Sequence, residues 1–396
     1  MGLIKVILVQ SLTISWKEDL SVKTIYTKQK EHSLYLKNLS ETPEIVLIFP
    51  VTRNSMKSSE KWKQVLKFIE ESEISILVVI DKTEKGSASS YFMNHFEILG
   101  KQLFVLPRSI EDTLFDTLGE IILDKNMWIL QLHDDDHWRG KVAVPEDARE
   151  KAVYFSDFYL NSETKGSIRI EDFSMPNRIV FSLIPSFVWN QFSRLVRDQK
   201  YHVAGSFDYV LNNMAQLVCE FEYKPGFLYY WKDDNWNTPN HAVAHLTTLT
   251  RNDGWENWSS PEISIYNRTI DSLASLNYIK ECLSPLQVKL EIETKIKGFV
   301  PSLRKRIKYN VYILGLSVIL KFYKLVFTAV GAFGQRSFKL EKQLIFYQFI
   351  KQSWKIDSID DLIKSIDYIE FLGGFKRLQD RFQFWKQALS DLKGAS

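Results

Sequence analysis

A mostly parallel α/β sheet, followed by a predominantly helical and basic C-terminal region, is what this 396-residue sequence predicts. Three observations lead there. Short runs rich in Ile, Val and Leu recur at 45–49, 74–80, 102–106 and 127–132, each ending in Pro, Asp or another polar turn-former, as strands buried on both faces do. Amphipathic helical patterns stand between several of them, and alternation of buried strand with helix means parallel pairing through crossovers. From about Ser260 the apolar spacing is helical to the end, and within it residues 295–355 hold 13 Lys/Arg against the single acid Glu341.

The elements follow in order. "MGLIKVILVQSLTISWKEDL" opens with an apolar stretch, but Gln10, Ser11 and Trp16 stand where a small-residue cleavage site belongs, so it reads as a strand rather than a signal peptide. "PEIVLIFPVTRNS" is the first buried strand, stopped at Pro50. "SSEKWKQVLKFIEESE" turns Trp62, Val65, Leu66 and Ile69 to one face, with Ser58 or Ser59 as N-cap. "ISILVVIDKTEKG" is a second strand ending in Asp81, and "QLFVLPRS" a third ending in Pro107-Arg108. "IEDTLFDTLGEIILDKN" (110–126) reads as a helix with Leu114, Phe115, Leu118, Ile121 and Ile122 inward, and "MWILQL" as the fourth strand. Beyond Ala152, "AVYFSDFYL", "NRIVFSLIPSFVW" and "KPGFLYYW" read as strands and 207–221 as a helix. Residues 231–258, rich in Trp, Asn and His, have no clean period and read as loop with some helix. The expected division is a domain over 1–259, with a first part at about 43–140 and a second at about 141–259, and a helical region over 260–396.

Composition narrows the function classes. With 45% hydrophobic and 25% charged residues the chain is globular. Two cysteines, Cys219 and Cys282, make neither a disulfide framework nor a four-thiolate zinc site, which points to a reducing, cytoplasmic setting. The net charge of +3 conceals the basic segment, which is itself +12, so the rest of the chain is −9. Its cations alternate with long apolar runs, and no zinc finger, Gly-rich phosphate loop or RNA-binding signature accompanies them, so nucleic acid is not the expected partner.

Ligands of open parallel sheets sit beyond the carboxyl ends of the strands. Pro50, Thr52, Arg53, Asp81, Arg108 and the cluster His133-Asp134-Asp135-Asp136-His137 all fall at those ends. Three successive carboxylates at a strand end raise one another's pKa unless a cation neutralises them. A hard divalent ion, Mn²⁺ or Mg²⁺, does so while sharing its remaining positions with water and substrate phosphates.

The order of these segments resembles the GT-A nucleotide-sugar glycosyltransferases, nearest to the family 2 type. An apolar fourth strand runs into an Asp-x-Asp cluster after "VLIFPVTRNS" and "ILVVIDKTE"; "VYFSDFYLNSETKGSIRIEDF" is similar to the segment that follows the metal motif. "IPSFVWNQF" with "AGSFDYVLNNMAQLV" is similar to the acceptor-side strand and helix. The resemblance spans roughly Glu44 to Trp231, and it implies that the part at about 43–140 is nucleotide-binding and the part at about 141–259 acceptor-binding. It implies that Asp81 binds the base or ribose, with Pro50, Thr52 and Arg53 beside it, and that the aspartates hold a metal bridging the donor's diphosphate. That cation, with Arg108, would stabilise the leaving nucleoside diphosphate. The metal pair is Asp135 with His133 in the first Asp's place, or Asp134 and Asp136 if the register shifts by one.

One departure concerns the general base. The Glu-Asp pair that inverting relatives carry beyond the Phe-Asp of the acceptor helix is replaced by Met214-Ala215-Gln216. Asp208, Asp233 and Asp234 are the remaining candidates, and inverting and retaining outcomes both stay open. His241 and His245, four apart and on one face if helical, are candidate further metal ligands.

In "LRKRIKYNVYILGLSVILKFYKLVFTAVGAFG" four cations, Arg304, Lys305, Arg306 and Lys308, precede an apolar stretch that Lys321 and Lys324 interrupt short of a bilayer span. It reads as an interfacial helix on an anionic membrane surface, at about 1 kcal/mol per cation. The expected function is therefore metal-dependent transfer of a sugar from a nucleotide diphosphate sugar to a glycan or lipid-linked acceptor, in surface polysaccharide synthesis, by a protein peripheral on the inner face of the cell membrane. The alternatives are a sugar nucleotidyltransferase and a catalytically inactive glycan-binding or scaffold subunit.

Overall fold

In a computed structural model of the chain, residues 7–8, 25–26, 34–38, 42–51, 56–81, 83, 86–96, 101–108, 114–132, 137–162, 166–169, 182–198, 207–224, 229–232, 261–299, 302–330, 335–371 and 379–394 are described. The chain divides into two units, Met1–Tyr201 with Phe207–Asn237, and His202–Ser206 with Thr238–Ser396. The boundary expected at 259/260 falls among residues outside those described.

The first unit is α/β. Its strands are β1 (Ile7–Leu8), β2 (Ile25–Tyr26), β3 (Leu34–Leu36), β4 (Glu44–Val51), β5 (Ile74–Asp81), β6 (Gln102–Pro107), β7 (Ile121–Leu123), β8 (Met127–Gln131), β9 (His137–Arg139), β10 (Ala152–Phe155), β11 (Asp157–Ser162), β12 (Gly166–Arg169), β13 (Ile184–Pro185), β14 (Glu220–Tyr223) and β15 (Tyr229–Lys232). Its helices are α1 (Met56–Glu71), α2 (Ser87–Phe96), α3 (Leu114–Gly119), α4 (Ser186–Asp198) and α5 (Phe207–Val218). Seven strands form the main sheet in the order β1-β2-β6-β5-β4-β8-β13, parallel throughout except for β13.

The four apolar runs are β4, β5, β6 and β8, and every residue of β4 and β8 is buried. Trp62, Val65 and Ile69 of α1 and Phe92 and Phe96 of α2 complete the core beside Leu47, Phe49, Leu77 and Leu130. At the end of α1, Lys101 Nζ donates to the carbonyls of Ile69 and Ser72, two of the acceptors a helix leaves without intrahelical partners. Burial of that ammonium lowers its pKa, with Glu70 opposing.

Three expectations are corrected. Helix α1 starts at Met56, so Ser58 and Ser59 lie inside it and neither is the N-cap. The helix expected over 110–126 is only α3, with 110–113 outside the described residues. Gly119 packs so closely on α4 that a Cβ there would lie 2.7 Å from Val196 Cγ1, and the β-branched pair Ile121-Ile122 then becomes β7, parallel to β3. The other edge of β7 is satisfied by α4: Trp189 Nε1 donates to Ile121 O at 2.9 Å, and Asn190 both donates to Leu123 O (2.7 Å) and accepts from Leu123 N (2.9 Å). The strand read through "NRIVFSLIPSFVW" is, within the described residues, two residues of β13 followed by α4. There Val188, Trp189, Phe192, Leu195 and Val196 make the buried helical stripe.

The second unit, in its described residues, is helical: α6 (Pro261–Ile279), a 3₁₀ turn at Lys280–Cys282, α7 (Pro285–Lys297), α8 (Leu303–Val330), α9 (Gln335–Ser353), α10 (Ile359–Phe371) and α11 (Gln379–Lys393). Ser284 and Gln287 form a reciprocal capping box on α7, with Pro285 in the first turn. Two buried polar pairs tie α6 into this unit. Trp385 Nε1 donates to Asp271 Oδ1 at 2.9 Å, and Tyr266 OH lies 2.5 Å from Ser365 Oγ. Burial drives the Tyr266 phenol far above its ordinary pKa, the Ser365 contact opposing.

Candidate functional site at the sheet switch point

From β4 the chain lays β5 and β6 to one side, then returns to place β8 on the other. The order therefore reverses between β4 and β8, the crevice where open α/β sheets bind ligands. Register fixes the rim there. Val51, Asp81 and Pro107 are aligned across β4, β5 and β6. Pairing of β8 with β4 ends earlier, at Gln131 opposite Ile48, with Leu132 N donating to Ile48 O at 3.1 Å. Beyond that point β4 runs on for three residues that β8 no longer covers within the described residues.

This explains Pro50, which sequence reading takes as the end of the strand. Ile48 turns its carbonyl toward β8, so by the alternation of a strand Pro50 turns its backbone nitrogen the same way. The missing N–H faces the side where β8 has ended, costs no ladder bond, and leaves β4 continuing through Val51.

Strand β8 ends at this crevice, and the next strand, β9, belongs to a different sheet of order β12-β11-β15-β9. Strand β9 is antiparallel to β15, with His137 opposite Trp231 and Trp138 opposite Tyr230. The start of β9, which Asp136 precedes, and the end of β15, which leads through Lys232 to Asp233, therefore lie side by side. Sheet topology thus sets the start of β9 beside the end of β15, two segments distant in sequence, while Asp134–Asp136 before the one and Asp233-Asp234 after the other lie outside the described residues. No sequence period signals this pairing, because β9 is three residues long and β15 four.

The side chains of Thr52, Arg53, Asp134, Asp135, Asp136, Asp233, Asp234, His241 and His245 lie outside the described residues, as does the side chain of Asp208, the second residue of α5. Among the described residues no group of three or more His, Cys, Asp or Glu is arranged to hold a metal ion.

Asp81 and Arg108, expected as ligand contacts, are described and are engaged by the protein. Asp81 is 1% exposed. Its Oδ1 accepts from Thr83 N (2.8 Å) and Thr83 Oγ1 (2.5 Å), and its Oδ2 from Ser89 N (2.7 Å) and Ser89 Oγ (2.5 Å). A carboxylate accepts about four hydrogen bonds, so this one is saturated. It caps α2 from the preceding strand, and its charge faces the positive end of that helix. Between them Gly86 adopts φ +67°, a backbone conformation that closes the turn into α2. Arg108 is fixed in a comparable way. Its backbone N donates to Asp81 O (2.8 Å), Nε to Thr117 Oγ1 (3.0 Å), and Nη2 to Glu120 Oε2, with both charged side chains at least 90% buried. Pairing with Glu120 removes the cost of an isolated buried guanidinium. Both residues order the rim in this arrangement. Sequence reading missed Thr83, Ser89, Thr117 and Glu120; "DKT" with Asp and Thr two apart is the one local signal, an Asx-type turn.

No protein-family model matches the chain, and no curated protein matches it. Among solved structures it is similar to Staphylococcus aureus TarS 1–349 in complex with UDP, at 10% identity and TM-score 0.33, over 63% of this chain and 84% of that one. The same TarS fragment in complex with UDP-GlcNAc is 9% identical with TM-score 0.34, over 79% and 91%. A longer TarS chain is 11% identical with TM-score 0.32, over 62% and 50%. A likeness at these TM-scores establishes neither family nor activity for this chain.

Proposed function

We propose that this chain is a GT-A-type, family 2-like glycosyltransferase that moves a sugar from a nucleotide diphosphate sugar to a glycan or lipid-linked acceptor. The observation that carries the reading is topological: β8, the strand that the triple aspartate follows in sequence, ends at the switch point of a parallel sheet, and β9, the strand that it precedes, belongs to a second sheet. A diphosphate donor needs a cation between its charges and the protein's, and hard carboxylates at that crevice suit Mn²⁺ or Mg²⁺. Asp134, Asp135 and Asp136 would hold the ion, with His241 or His245 as a further ligand. Once bound, it would supply charge stabilisation for the leaving diphosphate.

The chain's own residues do the rest. Thr52 and Arg53, which follow β4 in sequence, would contact the nucleotide beside Pro50. Asp81, through Thr83 and Ser89, would hold the neighbouring rim loop in shape for the base, and Arg108 through Glu120 the next. A carboxylate among Asp208, Asp233 and Asp234 would take the proton of the acceptor hydroxyl as that oxygen bonds to the sugar's anomeric carbon and the bond to the diphosphate breaks. The edge shared by β9 and β15 favours Asp233 or Asp234.

The test is a panel of nucleotide sugars scored for Mn²⁺-dependent thermal stabilisation and for release of nucleoside diphosphate. At about a hundredfold excess over Kd the right donor adds about 2.7 kcal/mol of stability, and Asp135→Ala with Asp136→Ala removes it. Pyrophosphate release would identify a nucleotidyltransferase instead, and binding without turnover an inactive subunit. No response to any nucleotide sugar would reject the reading.

A further inference from the structure

Helix α8 is 28 residues long and contains no Asp or Glu. Its inner face packs on α9: Tyr309 meets Tyr347 edge-on at 5.4 Å, Tyr312 stacks on Tyr347 at 5.7 Å, and Lys324 Nζ pairs with Glu341 Oε1 at 3.2 Å. Tyr309 and Leu320, eleven residues apart and so close to three full turns, are buried on that side.

The opposite face is apolar and open. Val311, Leu314, Val318, Ile319, Phe322 and Leu325 are between 45% and 75% exposed. Their 3–4 spacing makes one stripe, about 21 Å long at 1.5 Å per residue. Gly315 stands among them with nothing within 4 Å of where its Cβ would be. The cations sit at the ends and flanks of the stripe, Arg304, Lys305 and Lys308 exposed at its N-terminal end and Lys321 exposed beside Phe322. Contiguous exposed apolar surface of this kind marks an interaction site.

From this geometry we infer that the outer face of α8 docks the protein on an anionic lipid bilayer. The helix lies in the interfacial plane, its stripe enters the acyl boundary, and Arg304, Lys305, Lys308 and Lys321 meet headgroup phosphates. Charge complementarity selects this occupant. A second copy bringing the same face would set two acid-free helices carrying six cations each against one another, with no countercharge in either. Against the expectation that Lys321 and Lys324 cut the run short of a bilayer span, Leu303–Val326 of α8 is, by length and composition, long and apolar enough to cross a membrane. However, its inner face is bound to α9, whose Glu341, Lys342 and Lys351 exclude it from hydrocarbon, so only one side of α8 is available to lipid. The inference is independent of the glycosyl-transfer reading, since it uses no residue of that site.

The experiment is co-sedimentation of the full chain with vesicles of phosphatidylcholine alone and with about 30 mol% phosphatidylglycerol added. Binding to the anionic vesicles is expected, about tenfold or more tighter than to neutral ones and weakened by salt. Val318→Glu/Phe322→Glu, at exposed positions, should abolish it with thermal unfolding unchanged; Arg304→Glu/Lys308→Glu should weaken it about tenfold or more. Three results would overturn the inference: equal affinity for both vesicles, binding that survives both double variants, or no lipid binding together with a dimer that Val318→Glu/Phe322→Glu dissociates.

Discussion

Strand β4 beyond Glu44 and the middle of α8 are both uncharged apolar runs, and the fold disposes of them in opposite ways. All eight residues of β4 are buried, flanked by β5 and β8 within the sheet and packed against α1 and α2. In α8, by contrast, Val311, Leu314, Val318, Ile319, Phe322 and Leu325 face outward. A buried strand has two faces, and both can be covered inside one layer architecture. A helix presents apolar residues around its whole circumference when the run is continuous, and a single partner such as α9 covers only one side. The difference is thus one of geometry rather than hydrophobicity, and it separates an apolar run that stabilises the fold from one left over for a partner.

The largest effect should come from testing that difference directly. Phe49→Ala in β4 removes a fully buried ring that meets Phe92 edge-on at 6.0 Å, and is expected to cost about 3–5 kcal/mol. Phe322→Ala on α8 is expected to change stability by no more than about 0.5 kcal/mol. Denaturant unfolding of both variants, followed by a probe in each unit because two units need not unfold together, checks the pair. A loss at Phe322 comparable to that at Phe49 would mean the outer face of α8 is covered in the folded chain.

A second, smaller effect concerns how the units cap their helices. In the first unit Asp81 caps α2 from the end of a neighbouring strand, buried, with four donors. Asp81→Asn keeps the shape but turns an NH₂ toward the N–H and O–H donors of one pair. It is expected to cost about 1.5–3 kcal/mol, since hydrogen bonds to a buried charge are the costly ones to lose. Unfolding midpoints measure it, and a change below about 0.5 kcal/mol would show that Thr83 and Ser89 find other acceptors.

These contrasts mirror what the sequence made legible. The four apolar runs became β4, β5, β6 and β8 because a short apolar run between turn-formers has few other places to go, and the ends read at Asp81 and Pro107 are those of β5 and β6. The inward stripe of α1 was equally plain. What escaped is what depends on partners distant in sequence. Ile121-Ile122 reads as a helical continuation until β3 and α4 are there to take its backbone bonds. Asp81 and Arg108 look like free rim charges until Ser89, eight residues on, and Glu120, twelve residues on, are folded against them. The shared edge of β9 and β15 rests on strands too short for any periodicity to register.

The smallest prediction sharpens the comparison of caps. Ser358 precedes α10 as its N-cap: Asp361 N donates to Ser358 Oγ at 3.2 Å, and Ser358 Oγ donates to Asp361 Oδ2 at 2.7 Å. This cap is local and solvated, in contrast to the one on α2, and Ser358→Ala is expected to cost about 1 kcal/mol. The Ser358 hydroxyl, first among several contacts that include Asp357 and Lys364, holds the Asp361 carboxyl below its ordinary pKa. A depressed carboxylate contributes stability above its unfolded value, about 3.9, that is lost as pH falls through the folded one. Its neighbour Asp357 is pushed up, chiefly by its hydrogen bond with Asp361 and then by that group's charge, and so contributes with the opposite sign over a similar range. The profile of the pair is therefore shallow. The gap between wild type and Ser358→Ala should be full at neutral pH and narrow below about pH 4, as followed by thermal unfolding of the helical signal; a gap that widens in acid would reverse the assigned direction of the Ser358–Asp361 bond.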